Sequence, residues 1–269
     1  MGVGDVEATG KALVTGAGRG LGRAVALELA RRGFDVVAAM RDPAQGGGLA
    51  DEAGSAAGTI TVAALDVTCP DTMALPDGLR VLVNNAAVER AYLPVESVPM
   101  EQWRDVFETN VFGVVEMTRR AVPLMRAAGG GVVCNITSSS LLVSVPFYSV
   151  YRASKAAVAA LGESLRTELA PFGIRVVEVL PGPIDTDMLA ASARRPEAAD
   201  VPGYEPLALA WYEGRAGAAR FTTAPADAAA AVCDAIVDDG GPLRWGCDEL
   251  GSQLLGAWRA DPEATLGTG

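Results

Sequence analysis

The sequence predicts an α/β fold, a single domain built on a doubly wound parallel sheet of about seven strands flanked by helices. Three observations lead there. Short apolar runs alternate with segments of helical period along most of the 269 residues. The first of these runs, Lys11 to Thr15, is followed by a glycine-rich turn, a helix and a second run ending at Met40. That strand–loop–helix–strand unit of about thirty residues has the length of a right-handed βαβ crossover. A hydroxyl-rich stretch, SSSLLVSVPFYSVYRASK from Ser138 to Lys155, then runs out of the most apolar strand.

The elements follow in order. KALVT (11–15) is a buried-strand pattern, and the helix after it is expected over Leu21 to Arg32, with Leu21, Val25 and Leu29 on one face and Gly33 as its stop. DVVAAM (35–40) is the second strand. Residues 43–58 are weakly patterned, with room for a short helix near Leu49 to Ala53, and TITVAAL (59–65) is the third strand. Fourteen residues separate Asp66 from Val81, where VLVN begins the fourth strand, so this crossover is predicted to be short but still a crossover, since parallel neighbours cannot be joined by a hairpin.

Residues 99–128 read as one long helix with Trp103, Val106, Phe107, Val111, Val114 and Val115 inward and a kink available at Pro123. Glycines 129 to 131 close it, and Gly131 to Ile136 is the central strand. The next helix starts near Val150 and runs to about Ala170, stopped by Pro171 and Gly173; Arg175 to Leu180 is the sixth strand. Residues 183–224 change composition, with prolines at 183, 196, 202 and 206, and read as a long loop of the functional or mobile kind. Helical pattern returns at Pro225 to Val237, Leu243 to Trp245 forms a short last strand, 247–258 a final helix, and 259–269 a frayed tail.

Composition narrows the function. A net charge of −11 leaves no basic stripe for phosphates, so a nucleic-acid role is not expected. No apolar run approaches the ~20 residues of a membrane span. The start MGVGDVEATGK has neither a basic n-region nor an apolar h-region, and cysteines 69, 134, 233 and 247 show no CxxC spacing; both features predict a cytoplasmic protein with reduced thiols. Histidine is absent, which removes a histidine triad, histidine metal ligands and a histidine base, and no metal site is expected. Of 22 basic residues only Lys11 and Lys155 are lysine.

That second lysine follows Tyr151 by four residues, so the two share a helix face. Ser138 lies thirteen residues before Tyr151, at the end of the central strand. A hydroxyl, a phenol and an ammonium can therefore meet at the carboxyl edge of the sheet, where open α/β folds bind ligands. A free phenol titrates near ~10, and a neighbouring ammonium, joined by the positive charge of any cationic ligand ring bound beside it, is expected to lower Tyr151.

Together with Thr15-Gly16-Ala17-Gly18-Arg19-Gly20-Leu21-Gly22, Asn84-Asn85-Ala86-Ala87, Asn110 and Pro181-Gly182-Pro183-Ile184-Asp185-Thr186, these residues resemble the short-chain dehydrogenase/reductase family, in its compact single-domain branch, from about Lys11 to Thr186. The glycine spacing fits TGxxxGxG and YxxxK is Tyr151 to Lys155; the NNAG segment has Ala87 in place of its last glycine. The resemblance implies a Rossmann-like fold and an NADP(H)-dependent oxidoreductase acting on a small carbonyl or alcohol. It gives Tyr151 the general acid/base role, Ser138 a hydrogen bond to the substrate oxygen, Lys155 the nicotinamide ribose, and Asn110 a relay water. It also implies cofactor contacts from Gly16, Gly18, Arg19, Gly20, Leu21, Gly22, Arg41, Asp66, Val67, Asn85, Ala86, Ala87, Tyr151, Lys155, Pro181, Gly182, Ile184 and Thr186, and substrate contacts from Ser138, Tyr148, Tyr151 and Met188.

Several alternatives stay open at this level. The glycine loop alone could be an ordinary βα turn, Asp66 could cap a helix instead of meeting adenine, and the apolar residues Met188, Leu189, Tyr204, Leu207, Trp211 and Tyr212 could bind a ring-containing substrate or merely pack the covering segment. An NADP-binding sensor without turnover, or an epimerase or dehydratase, are the rival activities. NADP is expected over NAD because Met40, not an acidic residue, stands at the position that meets the adenine ribose, with Arg41 and Arg19 nearby; Asp42 would mislead if the strand ran two residues further. A homodimer or homotetramer is implied through the helices of 99–128 and 150–170, the second rich in alanine (153, 156, 157, 159, 160).

Overall fold

The computed structural model describes residues 10–192 and 194–265. Residues 1–9, 193 and the last four of the expected tail, 266–269, lie outside the described residues.

Seven strands form one parallel sheet in the order β3-β2-β1-β4-β5-β6-β7: β1 is Lys11–Thr15, β2 Asp35–Met40, β3 Ile60–Ala64, β4 Leu79–Asn84, β5 Gly131–Ile136, β6 Ile174–Leu180 and β7 Arg244–Gly246. The order reverses between β1 and β4, and this switch point opens a crevice at the carboxyl ends of the strands. β5 is buried at all six positions, the mark of a strand covered on both faces.

Alternate strand residues feed two cores. Val132 and Cys134 face the helices α1 (Gly20–Arg31) and α8 (Pro225–Val237), packing with Val25, Leu29, Val232 and Ile236. Val133 and Leu82 face the opposite layer, meeting Met117, Ala121 and Met125 of α4 (Gly113–Ala127) and Leu169 of α5 (Ser149–Leu169). Burial pushes the Cys134 thiol up to about 12, as suits a buried small hydrophobe.

The short crossover is real: between β3 and β4 there is a single 3₁₀ turn, Pro70–Thr72, and the strands still pair in parallel. Three expectations are corrected. The helix of 99–128 is split into α3 (Met100–Phe107) and α4 by a π-helical turn, Glu108–Phe112, and Phe112 stands 57% exposed. One extra residue per turn rotates the following face, so a constant 3.6 period misassigned Val111 and Val115, which are only partly buried, and overlooked Met117 and Met125. Residues 183–224 are not a structureless loop: they carry α6 (Asp187–Ser192) and α7 (Glu205–Ala218), tied back by the bridge of Ile184 with Thr223. The expected final helix is α9 (Glu249–Ala260), and the tail expected to fray after it carries α10 (Pro262–Thr265) within the described residues.

Candidate active site

The crevice at the switch point is built from three segments that clasp one another. Thr15, the last residue of β1, donates its hydroxyl to the Val83 carbonyl (3.2 Å) and accepts the Asn85 and Ala86 amides (3.0 and 3.1 Å). The Asn85 amide returns to the Thr15 and Gly16 carbonyls (2.9 and 3.3 Å). A Cβ on Gly22 would strike that Asn85 side chain, and Gly20 sits at φ +55 with its bare Cα facing the Thr186 methyl. Only glycine satisfies both demands, so the loop, the Asn85 turn and the 181–186 segment close on one edge. Gly18 packs against Gln45 and Met40, Leu21 onto the core, and Ala87 is half-buried.

Around this loop lie the remaining residues expected to meet the cofactor. β2 ends at Met40, which is buried; Asp42 turns away to accept the Ala44 amide (3.0 Å), so it is not the residue at the strand end. Arg41 is exposed and forms no ion pair among the described residues. Arg19 does not stand free: it pairs with Asp187 at the start of α6 (3.0 Å), both side chains being largely exposed. Asp66 accepts the Thr68 amide and hydroxyl (2.9 and 2.8 Å) in a local turn and caps no helix, since Cys69 leads the 3₁₀ turn that follows, while Val67 packs on Gly113. The Gly182 amide donates to buried Asp248 (2.6 Å), which also caps α9 through Gly251 (2.8 Å). Pro181 accepts the Ser139 amide, and Ile184 is buried. The narrow, glycine-lined edge beside a helix N-terminus fits a dinucleotide pyrophosphate.

The residues expected to carry the chemistry stand next to it. Ser138 follows β5, and its side chain hydrogen-bonds Tyr151 on α5 and accepts the Ser140 amide (3.2 Å). Lys155 is buried one turn along, with Nζ donating to the Ile136 carbonyl (2.8 Å) and lying 5.6 Å from the Tyr151 ring centre. Asn110 lies inside the π-turn, fully engaged by the Val88 amide (2.8 Å), the Val88 carbonyl (2.9 Å) and Ser154 (3.1 Å). The π-turn thus serves to aim one side chain, a common use of such turns.

The electrostatics correct one expectation. Burial pushes the Tyr151 phenol up, the Glu89 carboxylate adds to this, and only the Ser138 hydrogen bond opposes it. The same burial pulls Lys155 down to about 8. The expected fall counted a positive cofactor ring beside Lys155; in the protein alone burial decides the direction.

Of the wall opposite, sequence reasoning named Tyr148 and Trp211 but missed Tyr92, Glu89 and Arg215. Tyr148 lies on Tyr151 (ring centres 4.9 Å apart), Tyr92 on Tyr148 (5.2 Å), and Trp211 of α7 on Tyr92 (5.2 Å). Arg215 covers Trp211 and Tyr92. Glu89 accepts the Tyr148 hydroxyl (2.8 Å). Of the covering-segment aromatics, Trp211 joins this stack; Tyr204 instead donates to Glu96 (2.6 Å), and Met188 stands 39% exposed. Nothing local in the sequence ties Glu89 or Tyr92 to Tyr148, because the link crosses more than fifty residues.

Residues 10–197 match the family model described as short chain dehydrogenase. Bovine retinol dehydrogenase 8 is 32% identical over 270 residues, spanning 94% of this chain and 86% of the relative. A short chain dehydrogenase from Burkholderia cenocepacia, solved in complex with NADP, superposes with TM-score 0.72 at 28% identity over 98% of this chain and 97% of its own. A 3-ketoacyl-(acyl-carrier-protein) reductase from Brucella melitensis, complexed with NADH, gives TM-score 0.71 at 26% identity over 89% and 96%. With most of the chain matched in sequence and nearly all of it in fold, the protein belongs to the short-chain dehydrogenase family of nicotinamide-dependent oxidoreductases.

Proposed function

We propose that this protein is an NADP(H)-dependent oxidoreductase that interconverts a carbonyl and an alcohol on an apolar, ring-containing small molecule, with Tyr151 as general acid/base. The observation that carries this reading is the Ser138–Tyr151 hydrogen bond beside buried Lys155, on the same sheet edge as the glycine loop. A nicotinamide cofactor supplies the hydride chemistry when bound. Ser138 holds the substrate oxygen, and Tyr151 gives it a proton in reduction or takes one in oxidation. Lys155 and Asn110 fix the α5 side of the site, with the cofactor ribose as the further partner of Lys155. A positive charge placed over the phenol opposes the burial that now holds its proton.

The stack of Tyr148, Tyr92 and Trp211 supports an apolar ring as substrate, and retinol dehydrogenase 8 acts as a relative in keeping with that shape. Because the Tyr148 hydroxyl is taken by Glu89, Tyr148 offers the substrate its ring rather than its oxygen. NADP over NAD is supported by Met40 at the end of β2 and by exposed Arg41 beside it. A homodimer or homotetramer in the cytoplasm completes the reading; exposed Phe112, Ala156 and Ala160 on the α4 and α5 side support the association. Nicotinamide absorbance over a panel of ketones and alcohols tests the activity. Net oxidation or reduction is the expected result; cofactor binding without absorbance change would favour a sensor.

A further inference from the structure

Tyr148 is placed by an unusual stretch of chain. Phe147 before it holds φ +62, a left-handed conformation that a bulky residue adopts only when its surroundings enforce it. The Phe147 side chain is seated among Ala198, Ala199 and Ala208 and against the Tyr204 ring, so the covering segment supplies those surroundings. Tyr148 itself precedes the first residue of α5 and has φ −111, so the helix does not fix its side chain. Two contacts do. Its ring is sandwiched between Tyr92 and Tyr151, and its hydroxyl ends on the Glu89 carboxylate.

We propose that Glu89 is a positioning residue of this active site: by holding the Tyr148 hydroxyl it holds the ring that lies against Tyr151. The inference rests on Tyr151 being the acid/base group.

The charges facing Glu89 come from three places: Tyr148 and Tyr151 around the start of α5, Lys155 further along it, and Arg215 from α7. Burial raises the Glu89 carboxyl to about 7, against the lowering effects of the Tyr148 hydrogen bond, Arg215 and Lys155. Tyr148 is pushed well above its ordinary range by burial and by Glu89, so it keeps its proton and remains the donor. Glu89 therefore passes from a neutral to a charged acceptor across neutral pH, and charged acceptors bind a phenol more strongly. The grip on the Tyr148 ring tightens as pH rises through that range.

The test uses the full chain as wild type, Glu89→Gln and Tyr148→Phe. Near-ultraviolet circular dichroism follows the tyrosine stack, and infrared difference spectra follow the carboxyl, from about pH 5 to about pH 9, a window clear of ordinary carboxylates. Wild type is expected to show one carboxyl transition near neutrality in the infrared, with a change in the tyrosine signal at the same pH. Glu89→Gln is expected to lack it. In Tyr148→Phe the infrared transition moves to higher pH, because the carboxylate has lost a donated hydrogen bond. With the best ketone of the panel, kcat is expected to fall about tenfold in Glu89→Gln while the KM for NADPH stays unchanged, the size of one charge-assisted hydrogen bond. A carboxyl infrared transition that persists in Glu89→Gln, or that does not move in Tyr148→Phe, would overturn the proposal; the Lys155 ammonium, at about 8, adds no carboxyl band. Failure of the underlying acid/base assignment shows separately, as turnover surviving in Tyr151→Phe. The spectra need no substrate and decide the Glu89 inference either way.

Discussion

Arg19 and Asp187 face each other across the gap between the glycine loop and α6, guanidinium to carboxylate at 3.0 Å, from positions 168 residues apart in sequence. Their side chains are 73% and 75% exposed, so the pair holds the two segments together only weakly. A phosphate is a stronger partner for a guanidinium, being dianionic and matched to its bidentate fork. The ion pair is thus one that a 2′-phosphate could replace, and Arg41, with no ion pair among the described residues, needs no such exchange.

Cofactor choice is the first consequence. Arg41→Ala is expected to lower kcat/KM with NADPH by about tenfold or more and leave NADH nearly unaffected, and Arg19→Ala to do the same to a smaller degree. Initial rates with both cofactors check this. Equal losses, or wild-type preference for NADH, would show that the arginines do not meet the 2′-phosphate.

Tyr151→Phe removes one hydroxyl and leaves the glycine loop intact. Turnover is expected to drop by about 10²–10⁴ or more, while NADPH binding, followed by fluorescence, stays close to wild type. Near wild-type kcat would refute the acid/base assignment.

The pH dependence of stability follows from Glu89. Its carboxyl is raised from 4.5 to about 7 in the folded chain, so the folded state binds more protons than the unfolded one between those values. The resulting stabilisation is complete below the lower value and is lost as pH rises through the upper one. Denaturant unfolding from about pH 5 to about pH 7 is expected to show wild type losing stability relative to Glu89→Gln, by at most about 1.4 kcal/mol per pH unit. Parallel curves would show that Glu89 is not perturbed.

Asp248 links the 181–186 segment to α9 through the Gly182 and Gly251 amides. Asp248→Ala leaves two amides without an acceptor and is expected to cost about 1–3 kcal/mol. Thermal unfolding reads that loss, and a raised KM for NADPH reads the loosened segment. An unchanged KM would separate Asp248 from cofactor binding.

Self-association through the α4 and α5 faces is expected to show as a dimer or tetramer in light scattering at micromolar concentration. Phe112→Glu, which charges an exposed ring at the start of α4, is expected to weaken it. A wild-type monomer would refute the association.

What the sequence determined by itself was everything that local spacing encodes. The βαβ start, the run of parallel strands and the Ser138, Tyr151 and Lys155 set were legible, because strand and helix periods place side chains within a few residues of their motif. The family motifs likewise marked the glycine loop and the 181–186 segment. Tertiary structure decided the rest. The π-turn that aims Asn110 leaves no mark in a periodic pattern, since it adds a single residue to a turn. Asp248 and Glu89 reach Gly182 and Tyr148 over 66 and 59 residues, and the buried Glu178 finds Arg244 over 66. The direction of the Tyr151 shift in the protein alone was decided there too: the expected fall counted a lysine and a cofactor ring, whereas burial, a property of the whole packed chain, pushes the phenol up.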